Sequence, residues 1–470
     1  MQKLTATEKW SYSVGSIPFA VKDAAFVNFV IFFYTQVHGL SGTLAGLAMF
    51  IALLWDAISD PVVGSWCDRL RSRWGRRHPL LIAGGIPTAL MFLVLFSPPE
   101  QLGQLATFAW LLGVSILLRT FITVYFVPYT AMGAELSTDY DQRTVIAKAR
   151  VTVGWLAAMA LPTIGFIVFF GPTNGADGRL VAGNYQHYGL LSALVAAAAV
   201  LVCVIDTGSA IPRLPQARST AKFSWRDPLI DLKLLLNNRN FRIIMGANLA
   251  VGLAAGVYFT LAIYLGTFFW EVTAQQMAGI IFPSVIAVAV AFIVLGQLGK
   301  RFDKPQLLVV LSFALATNGL WFLGGRLLGL LPENGDSLVY ALYLINSGMA
   351  IFMIVGKQIL GASLLADIVD EQELKTGKRQ EAAVFAADAF VQKATTGAGG
   401  LIAGIVIDFS GINSDSVPGG VSERTLQTLG ATACLVIVVL GFISCFFYTR
   451  LRLSRADHAK VRMRLDAINR

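Results

Sequence analysis

Long apolar stretches recur from one end of the chain to the other, separated by short polar segments. Each stretch has about twenty residues or more, which is enough for an α-helix to cross a hydrocarbon core of ~30 Å. The pattern predicts twelve membrane-spanning helices, near residues 10–37, 42–66, 79–97, 104–134, 144–170, 187–207, 241–270, 276–299, 305–331, 337–366, 381–410 and 426–449. No polar stretch is long enough to fold as a separate soluble domain, so we expect an all-α membrane protein.

The composition agrees with this fold class. Of the 470 residues, 56% are hydrophobic and 14% are charged, whereas charged residues make up about 25% of a soluble chain. An enzyme built within such spans would need a nucleophile with its base, or a set of metal ligands, and the sequence contains no such motif. We therefore expect no enzyme, no catalytic residues and no cofactor.

Lysine and arginine are distributed unequally between the two sets of alternate connections. One set carries twenty-eight of them, at 67–79, 137–150, 208–242, 299–305, 371–380 and 450–470. The other set carries only Arg179, Arg326 and Arg424. This positive-inside asymmetry predicts that both termini are cytoplasmic. We expect the membrane to be the inner membrane of a bacterium. It also explains the net charge of +9 without a nucleic-acid partner, whose binding surface would gather basic residues on one folded face.

The chain divides into two halves of six predicted spans each. In both halves the loop after the second span, 64–79 or 296–305, combines glycine, aspartate and several cations and ends in proline. Two such pseudo-symmetric six-helix bundles resemble the major facilitator fold of secondary transporters. We predict an N-terminal bundle, a cytoplasmic linker, a C-terminal bundle and a basic cytoplasmic tail, at 1–207, 208–240, 241–450 and 451–470.

The charged cytoplasmic loops suggest a latch for alternating access. Ion pairs at one membrane face can form and break at modest cost. We expect such pairs among the loops that follow spans 2, 4 and 8, formed by Asp68, Arg69, Arg73, Arg76, Arg77, Asp139, Arg143 and Asp303. For the arginines alone, a purely topogenic role is an alternative.

The second span contains two carboxylates near the middle of an apolar run. Asp56 and Asp60 are four residues apart and so share one helix face, with Ser59 beside them and Pro61 freeing a backbone carbonyl nearby. A charged side chain at the bilayer centre costs roughly 2.5–3.5 kcal/mol, so it marks a functional site by default. Carboxylate and hydroxyl oxygens are suitable ligands for a hard cation. Alternatively, the two acids repel each other and the pair carries a proton.

Other spans also carry polar or charged residues. The set with a candidate role at the solute comprises Lys22, Asp23, Arg119, Phe126, Arg150, Lys357, Gln358, Asp388 and Lys393. Internal salt bridges explain some of these charges, such as Asp23 with Lys22 or Arg150. They cannot explain all of them, because five cations stand against the four acids Asp23, Asp56, Asp60 and Asp388. A polar cavity is the more economical interpretation.

At these residues the sequence resembles the glycoside–pentoside–hexuronide:cation symporters, the family of the melibiose permease. The shared motifs are Lys22-Asp23, WDAISDP at 55–61, RSRWG at 71–75, VPY at 127–129, the stretch from Glu135 to Arg150, and ADIVD at 366–370 leading to Lys393. The resemblance implies a sodium-type site at Asp56, Ser59, Asp60 and Thr123. It also implies that Asp23, Arg150 and Lys393 lie at or near the substrate.

The sequence departs from the family pattern at three positions. Phe126 stands where a sugar-binding acid is usual, Gln358 replaces an aromatic residue, and Arg119 replaces a small one. Sodium is the expected coupling ion, with a proton or lithium as alternatives, because Arg119 could neutralise one acid and displace the metal. The expected solute is a glycoside carrying an anionic group, such as a uronide. A lysophospholipid or another amphiphile is the alternative, and we expect a monomer whose other contacts are membrane lipids.

Overall fold

A computed structural model describes residues 5–70, 72–137, 139–173, 175–213 and 232–468. Within these ranges the chain is almost entirely helical, so the predicted all-α fold is confirmed. The principal helices are α1 (Ala6–Val14), α2 (Ile17–Ala25), α3 (Gly42–Arg69), α4 (His78–Leu95), α5 (Gln104–Glu135), α6 (Tyr140–Ile164), α7 (Ala182–Thr207), α8 (Arg239–Tyr264), α9 (Ile281–Arg301), α10 (Lys304–Gly319), α11 (Ser337–Thr376), α12 (Glu381–Ser410), α13 (Glu423–Thr449) and α14 (Arg455–Ile468). Short helices at Ala274–Ala278 and Gly325–Leu327 accompany them.

Eleven helices in the described ranges are long and apolar enough to cross a membrane, and they match the second to twelfth predicted spans. The first predicted span, 10–37, is also helical but is not one uninterrupted α-helix. The chain turns between α1 and α2, and Phe26–Val30 and Phe33–Val37 are wound as π-helix. Such π-helical turns are frequent at functional sites.

The chain forms two compact units. The first comprises Met1–Phe223 with the short segments Thr273–Ala278 and Asn413–Ser416, and the second comprises the remainder. Of the predicted linker, 214–231 lies outside the described residues, while Gly208–Arg213 forms a 3₁₀-helix. The four-part division at 207, 240 and 450 stays a prediction.

The break between α1 and α2 lies against α5 in the first unit. The Tyr125 hydroxyl donates to the Gly15 carbonyl (2.8 Å), and the Tyr129 hydroxyl donates to the Tyr12 carbonyl (2.7 Å). A helix break exposes carbonyls that have lost their usual donors, and buried carbonyls need replacements. The two tyrosines therefore hold the interrupted first span against the helix that carries Arg119 and Thr123.

Close helix packing in the second unit depends on small residues. A Cβ atom added at Gly256 of α8 would lie 2.3 Å from the Thr396 carbonyl oxygen and 2.9 Å from Gly399 Cα of α12. Backbones that approach this closely are typical of helix pairs in membranes, where small residues replace hydrophobic packing as the means of association.

Candidate functional site

The two membrane carboxylates lie on α3, which begins with Ser41 as its N-cap and continues through Pro61. Asp56 is buried, while Asp60 is half-buried. The Ser59 hydroxyl donates to the Asp56 carbonyl (3.4 Å), so its proton is used within its own helix. Ser59 stands between the two acids in the sequence, and its hydroxyl oxygen can still accept a hydrogen bond.

Each carboxylate has a partner on α5. The Arg119 guanidinium Nη1 donates to Asp56 Oδ2 (2.5 Å), and the Thr123 hydroxyl donates to Asp60 Oδ1 (2.9 Å). Both partners are four residues apart on their own helix, as the acids are on α3. α3 and α5 are separated by one span and therefore run in the same direction. The two pairs consequently follow one another in the same order along both helices. The structure therefore joins Asp56, Asp60, Arg119 and Thr123 in one cluster.

The Arg119–Asp56 pair is deeply buried and incompletely satisfied. The Arg119 side chain is 4% exposed and the Asp56 side chain 9%. The guanidinium carbon also lies 4.8 Å from the ring centroid of Phe26, the first residue of a π-helical turn. Among the described residues, Asp56 Oδ1 and Arg119 Nε have no hydrogen-bond partner. From the sequence we considered that Arg119 could neutralise one of the acids, and the structure contains an ion pair between Arg119 and Asp56.

A second charged pair lies on α2. Lys22 is buried, and its Nζ is 2.7 Å from Asp23 Oδ1 and 3.9 Å from the Phe19 ring centroid. The Phe19 ring stacks on Phe126 of α5 with centroids 4.1 Å apart. Asp23 is about half exposed, at 47% of its side chain. Phe126 thus extends an aromatic surface beside a cation, at the position where the family pattern has an acid.

Arg150 of α6 lies beside the break in the first span. Its backbone carbonyl accepts a hydrogen bond from the Ser16 hydroxyl (3.1 Å). Its side chain is half-buried. The salt bridge from Asp23 that the structure contains is to Lys22, not to Arg150.

The predicted solute residues of the second unit belong partly to one polar network. The Asp388 carboxylate accepts from Asn248 Nδ2 (2.6 Å) and Gln392 Nε2 (2.7 Å), and the Tyr448 hydroxyl donates to Asn248 Oδ1 (3.1 Å). Tyr448 is also the neighbour of the buried Lys357, whose Nζ lies 5.5 Å from its ring centroid.

The remaining contacts of this region are weaker. Lys357 Nζ donates to Ser444 Oγ (3.4 Å). Among the described residues no carboxylate pairs with Lys357. Lys393 is half-buried on α12, and Gln358 on α11 is exposed. Lys357 and Asp388 are therefore connected through Tyr448, whereas Gln358 is not part of this network.

The loop after span 2 forms ion pairs within the first unit. Arg76 and Arg77 each place a nitrogen 2.6 Å from Glu135 Oε1 at the end of α5, and Arg77 Nη1 lies 3.1 Å from Asp68 Oδ1. Burial disfavours the charged form of Arg77, but its hydrogen bonds and electrostatic interactions with Glu135 and Cys67 together outweigh burial and raise the pKa of the guanidinium. Asp68 is thus held by the arginines of its own loop, with Glu135 as the central acceptor.

The other predicted latch residues of this unit have local partners. Arg69 donates to Ser65 (2.9 Å), and Arg73 lies 5.5 Å from the Trp74 ring. Asp139 caps α6, while Arg143 Nε donates to the Ser137 carbonyl (2.6 Å). Arg71 lies outside the described residues. The contacts of Asp139 and Arg143 thus stay within their own loop.

In the second unit, the predicted basic tail is partly a helix, α14. Its first residue, Arg455, donates its backbone N–H to Asp303 (3.0 Å) and its guanidinium to the carbonyls at the end of α9. His458 Nε2 lies 3.0 Å from Asp370, and Lys304 Nζ lies 2.5 Å from Asp367. The loop that contains Asp303 is therefore connected to the end of α11 and to the tail.

The family assignment rests on a match over nearly the whole chain. Residues 11–455 match the family model described as MFS/sugar transport protein. The chain belongs to this family. It is a multi-pass membrane transporter of the major facilitator superfamily and not an enzyme.

The names of related proteins give different solutes. The putative glycoside/cation symporter YagG of Escherichia coli K12 is 25% identical, over 94% of this chain and 90% of that protein. The sodium-dependent lysophosphatidylcholine symporter 1-A of Danio rerio is 24% identical, over 95% of this chain and 86% of that protein. The crystal structure of the nucleoside transporter NupG has a TM-score of 0.62 at 13% identity, covering 95% and 100% of the two chains, and shows the shared fold alone.

Several residues of these clusters escaped the sequence analysis. Asn248, Ser444 and Tyr448 are neutral and belong to none of the family motifs, whereas the candidate residues were charged, neighboured the two acids or lay at positions of the family pattern. Glu135 was noted only as part of a family motif, not as a latch residue. Its position at the end of an apolar span, on the side predicted to be cytoplasmic like the arginines of 69–77, was the available signal for it.

Proposed function

We propose that this member of the MFS/sugar transport protein family is a cation-coupled symporter that takes up a small glycoside-type solute by alternating access. The observation that supports it is the double pairing of Asp56 and Asp60 with Arg119 and Thr123 inside an apolar helix pair. Acids are retained at such a place when a cation has to be bound and released there. The name of the E. coli relative supports the solute class.

The coupling cation in this proposal binds at Asp60, with oxygens of Thr123 and Ser59 nearby and Asp56 one turn away. Hydroxyl and carboxylate oxygens favour sodium or lithium as the ion. In this proposal both termini are cytoplasmic, which the positive-inside distribution supports, and the membrane is the inner membrane of a bacterium. The transporter works as a monomer, without a cofactor.

The proposed solute carries an anionic group beside an apolar ring face, as an aryl glycoside or uronide does. Buried Lys357 has no carboxylate partner among the described residues, and an uncompensated buried cation is stabilised by an anion. Within the first unit taken by itself, the stacked rings of Phe19 and Phe126 lie beside the Lys22 ammonium, which also combines an apolar face with a cation. Arg119 is less suited to the solute than the sequence suggested, because Asp56 already occupies it.

A second candidate is sodium-coupled transport of a lysophospholipid or similar amphiphile. The zebrafish relative favours it, since the match covers nearly all of this chain. Both candidates use the same cation site and differ only in the solute.

Uptake into proteoliposomes tests the proposal. The purified chain is reconstituted, an inward cation gradient is applied, and a panel of neutral glycosides, uronides and lysophospholipids is offered. Accumulation of a uronide or glycoside that collapses with the cation gradient supports the first candidate. Accumulation of a lysophospholipid alone supports the second, and uptake that ignores every cation gradient would refute coupled symport.

A further inference from the structure

We infer that the Arg119 guanidinium competes with a metal cation for Asp56, so that Arg119 sets the metal-ion affinity of the site. The inference rests on the proposed function only in taking Asp56 and Asp60 as the cation site. Its geometric basis is that Arg119 Nη1 approaches Asp56 Oδ2 to 2.5 Å. A calcium ion lies about 2.3–2.6 Å from its oxygen ligands, and a sodium ion of similar size would need the same position at Oδ2 that Arg119 Nη1 now holds.

The second oxygen of Asp56 does not offer an independent site. Oδ1 is buried and has no hydrogen-bond partner among the described residues. A metal ion bound to Oδ1 would share one carboxylate with a guanidinium that is 4% exposed and poorly screened. The two positive charges would repel each other across a few ångströms in a low-dielectric environment. Binding at either oxygen is therefore weakened as long as Arg119 stays in place.

The net charge of the cluster also indicates that Arg119 takes the place of a metal ion. Two carboxylates with one bound monovalent cation carry a net charge of −1. Asp56, Asp60 and Arg119 together already carry a net charge of −1 without any ion. The guanidinium therefore supplies the electrostatic compensation that a first metal ion would otherwise supply, and Phe26 holds it there through a cation–π contact.

Removing the Arg119 charge should therefore tighten metal binding. We expect the apparent sodium affinity to rise at least about tenfold in Arg119→Ala, since 1.4 kcal/mol corresponds to tenfold and a desolvated like-charge repulsion exceeds that. Arg119→Gln should behave in the same way, because it keeps a hydrogen-bond donor for Asp56 and removes only the charge. Arg119→Lys should keep the wild-type affinity within a few-fold, since a cation still faces Asp56.

The experiment is a titration of the purified full chain, without any solute, with NaCl or LiCl at constant ionic strength balanced by choline chloride. The melting temperature and the heat of binding are measured at each concentration. Lys148→Ala is the matched control, because it removes one exposed positive charge of the first unit at a position away from the site. If Arg119→Ala does not yield folded protein, Arg119→Gln decides the question.

Tighter sodium or lithium binding in Arg119→Ala or Arg119→Gln, with wild-type behaviour in Lys148→Ala, supports the inference. The same holds if the wild type shows no metal response and the variants gain one. Unchanged metal affinity in both Arg119 variants overturns it. Because no solute is present, the outcome stands apart from the uptake experiment, in which the proposed symport itself can fail.

Discussion

Asp56→Asn and Asp60→Asn should have different consequences, although both remove one carboxylate from the same helix face. Asp56 is the partner of a guanidinium that is 4% exposed, so Asp56→Asn leaves a buried cation without its anion. Breaking a buried ion pair in this way costs about 3–5 kcal/mol. Asp60 is half-buried and accepts from the Thr123 hydroxyl, and an asparagine carbonyl can accept the same hydrogen bond. Its replacement should cost about 1 kcal/mol.

In transport assays, the loss of cation coupling should be seen in Asp60→Asn, the variant that loses less stability. An inward monovalent cation at about −100 mV supplies ~2.3 kcal/mol when it moves with a neutral solute, which corresponds to roughly fifty-fold accumulation. With a monovalent anion the transported pair carries no net charge, and the concentration gradient of the cation alone drives accumulation. Asp60→Asn should lose this accumulation and retain exchange of solute across the membrane. Asp56→Asn should fail first as a folded protein, with a lower melting temperature and a smaller yield.

A double variant isolates the ion pair. Asp56→Asn with Arg119→Gln removes both charges together, so it should recover most of the stability that Asp56→Asn loses. Melting temperatures of the wild type, the two single variants and the double variant form a thermodynamic cycle. Additive effects in this cycle, or a melting temperature of Asp56→Asn equal to that of the wild type, would contradict the pairing.

Three further predictions concern other parts of the molecule. Lys357→Ala should weaken binding of an anionic solute by about tenfold or more and that of its neutral analogue less, and equal losses in calorimetric titrations would refute the anion-binding role. Asp68→Lys places a cation against Arg77 and should shift the population toward inward-open states. Unchanged alkylation of single cysteines introduced at the two ends of the transport path would count against the latch. Gly256→Val should overpack α8 against Gly399 and destabilise the fold by about 1–3 kcal/mol, and a wild-type melting temperature would show that the contact is loose.

The spans could be predicted from the sequence because hydropathy is a local property. Each span after the first was recovered by its apolar length alone. The interruption of the first span at Gly15 was not predicted, because it depends on Tyr125 and Tyr129 of a helix a hundred residues away. A broken helix is tolerated only where another element supplies donors for the freed carbonyls.

From residue spacing alone the candidate site was predictable to the level of single helices, and the family resemblance added Thr123 of α5 to Asp56, Ser59 and Asp60 of α3. The four-residue spacing of Asp56 and Asp60 places both on one face of α3, whatever lies opposite. Which acid faces Arg119 and which faces Thr123 depends on the relative register of α3 and α5, and no pattern within either helix fixes that register. Asn248 and Tyr448 were missed for a related reason, since their role depends on a carboxylate from another helix.

The excess of cations over acids in the spans has a different interpretation once the ion-pair partners of these residues are known. Five cations against four acids suggested a positive charge exposed when an ion neutralises Asp56 and Asp60. In the structure, Arg119 already compensates Asp56, and Lys22 compensates Asp23. One monovalent cation at Asp60 then suffices to neutralise the acid pair. The excess positive charge consequently falls on the cations outside these two pairs, and of these Lys357 is buried beside an aromatic ring and a hydroxyl rather than a carboxylate. An anionic solute would satisfy this charge, whereas a neutral one would leave its desolvation uncompensated.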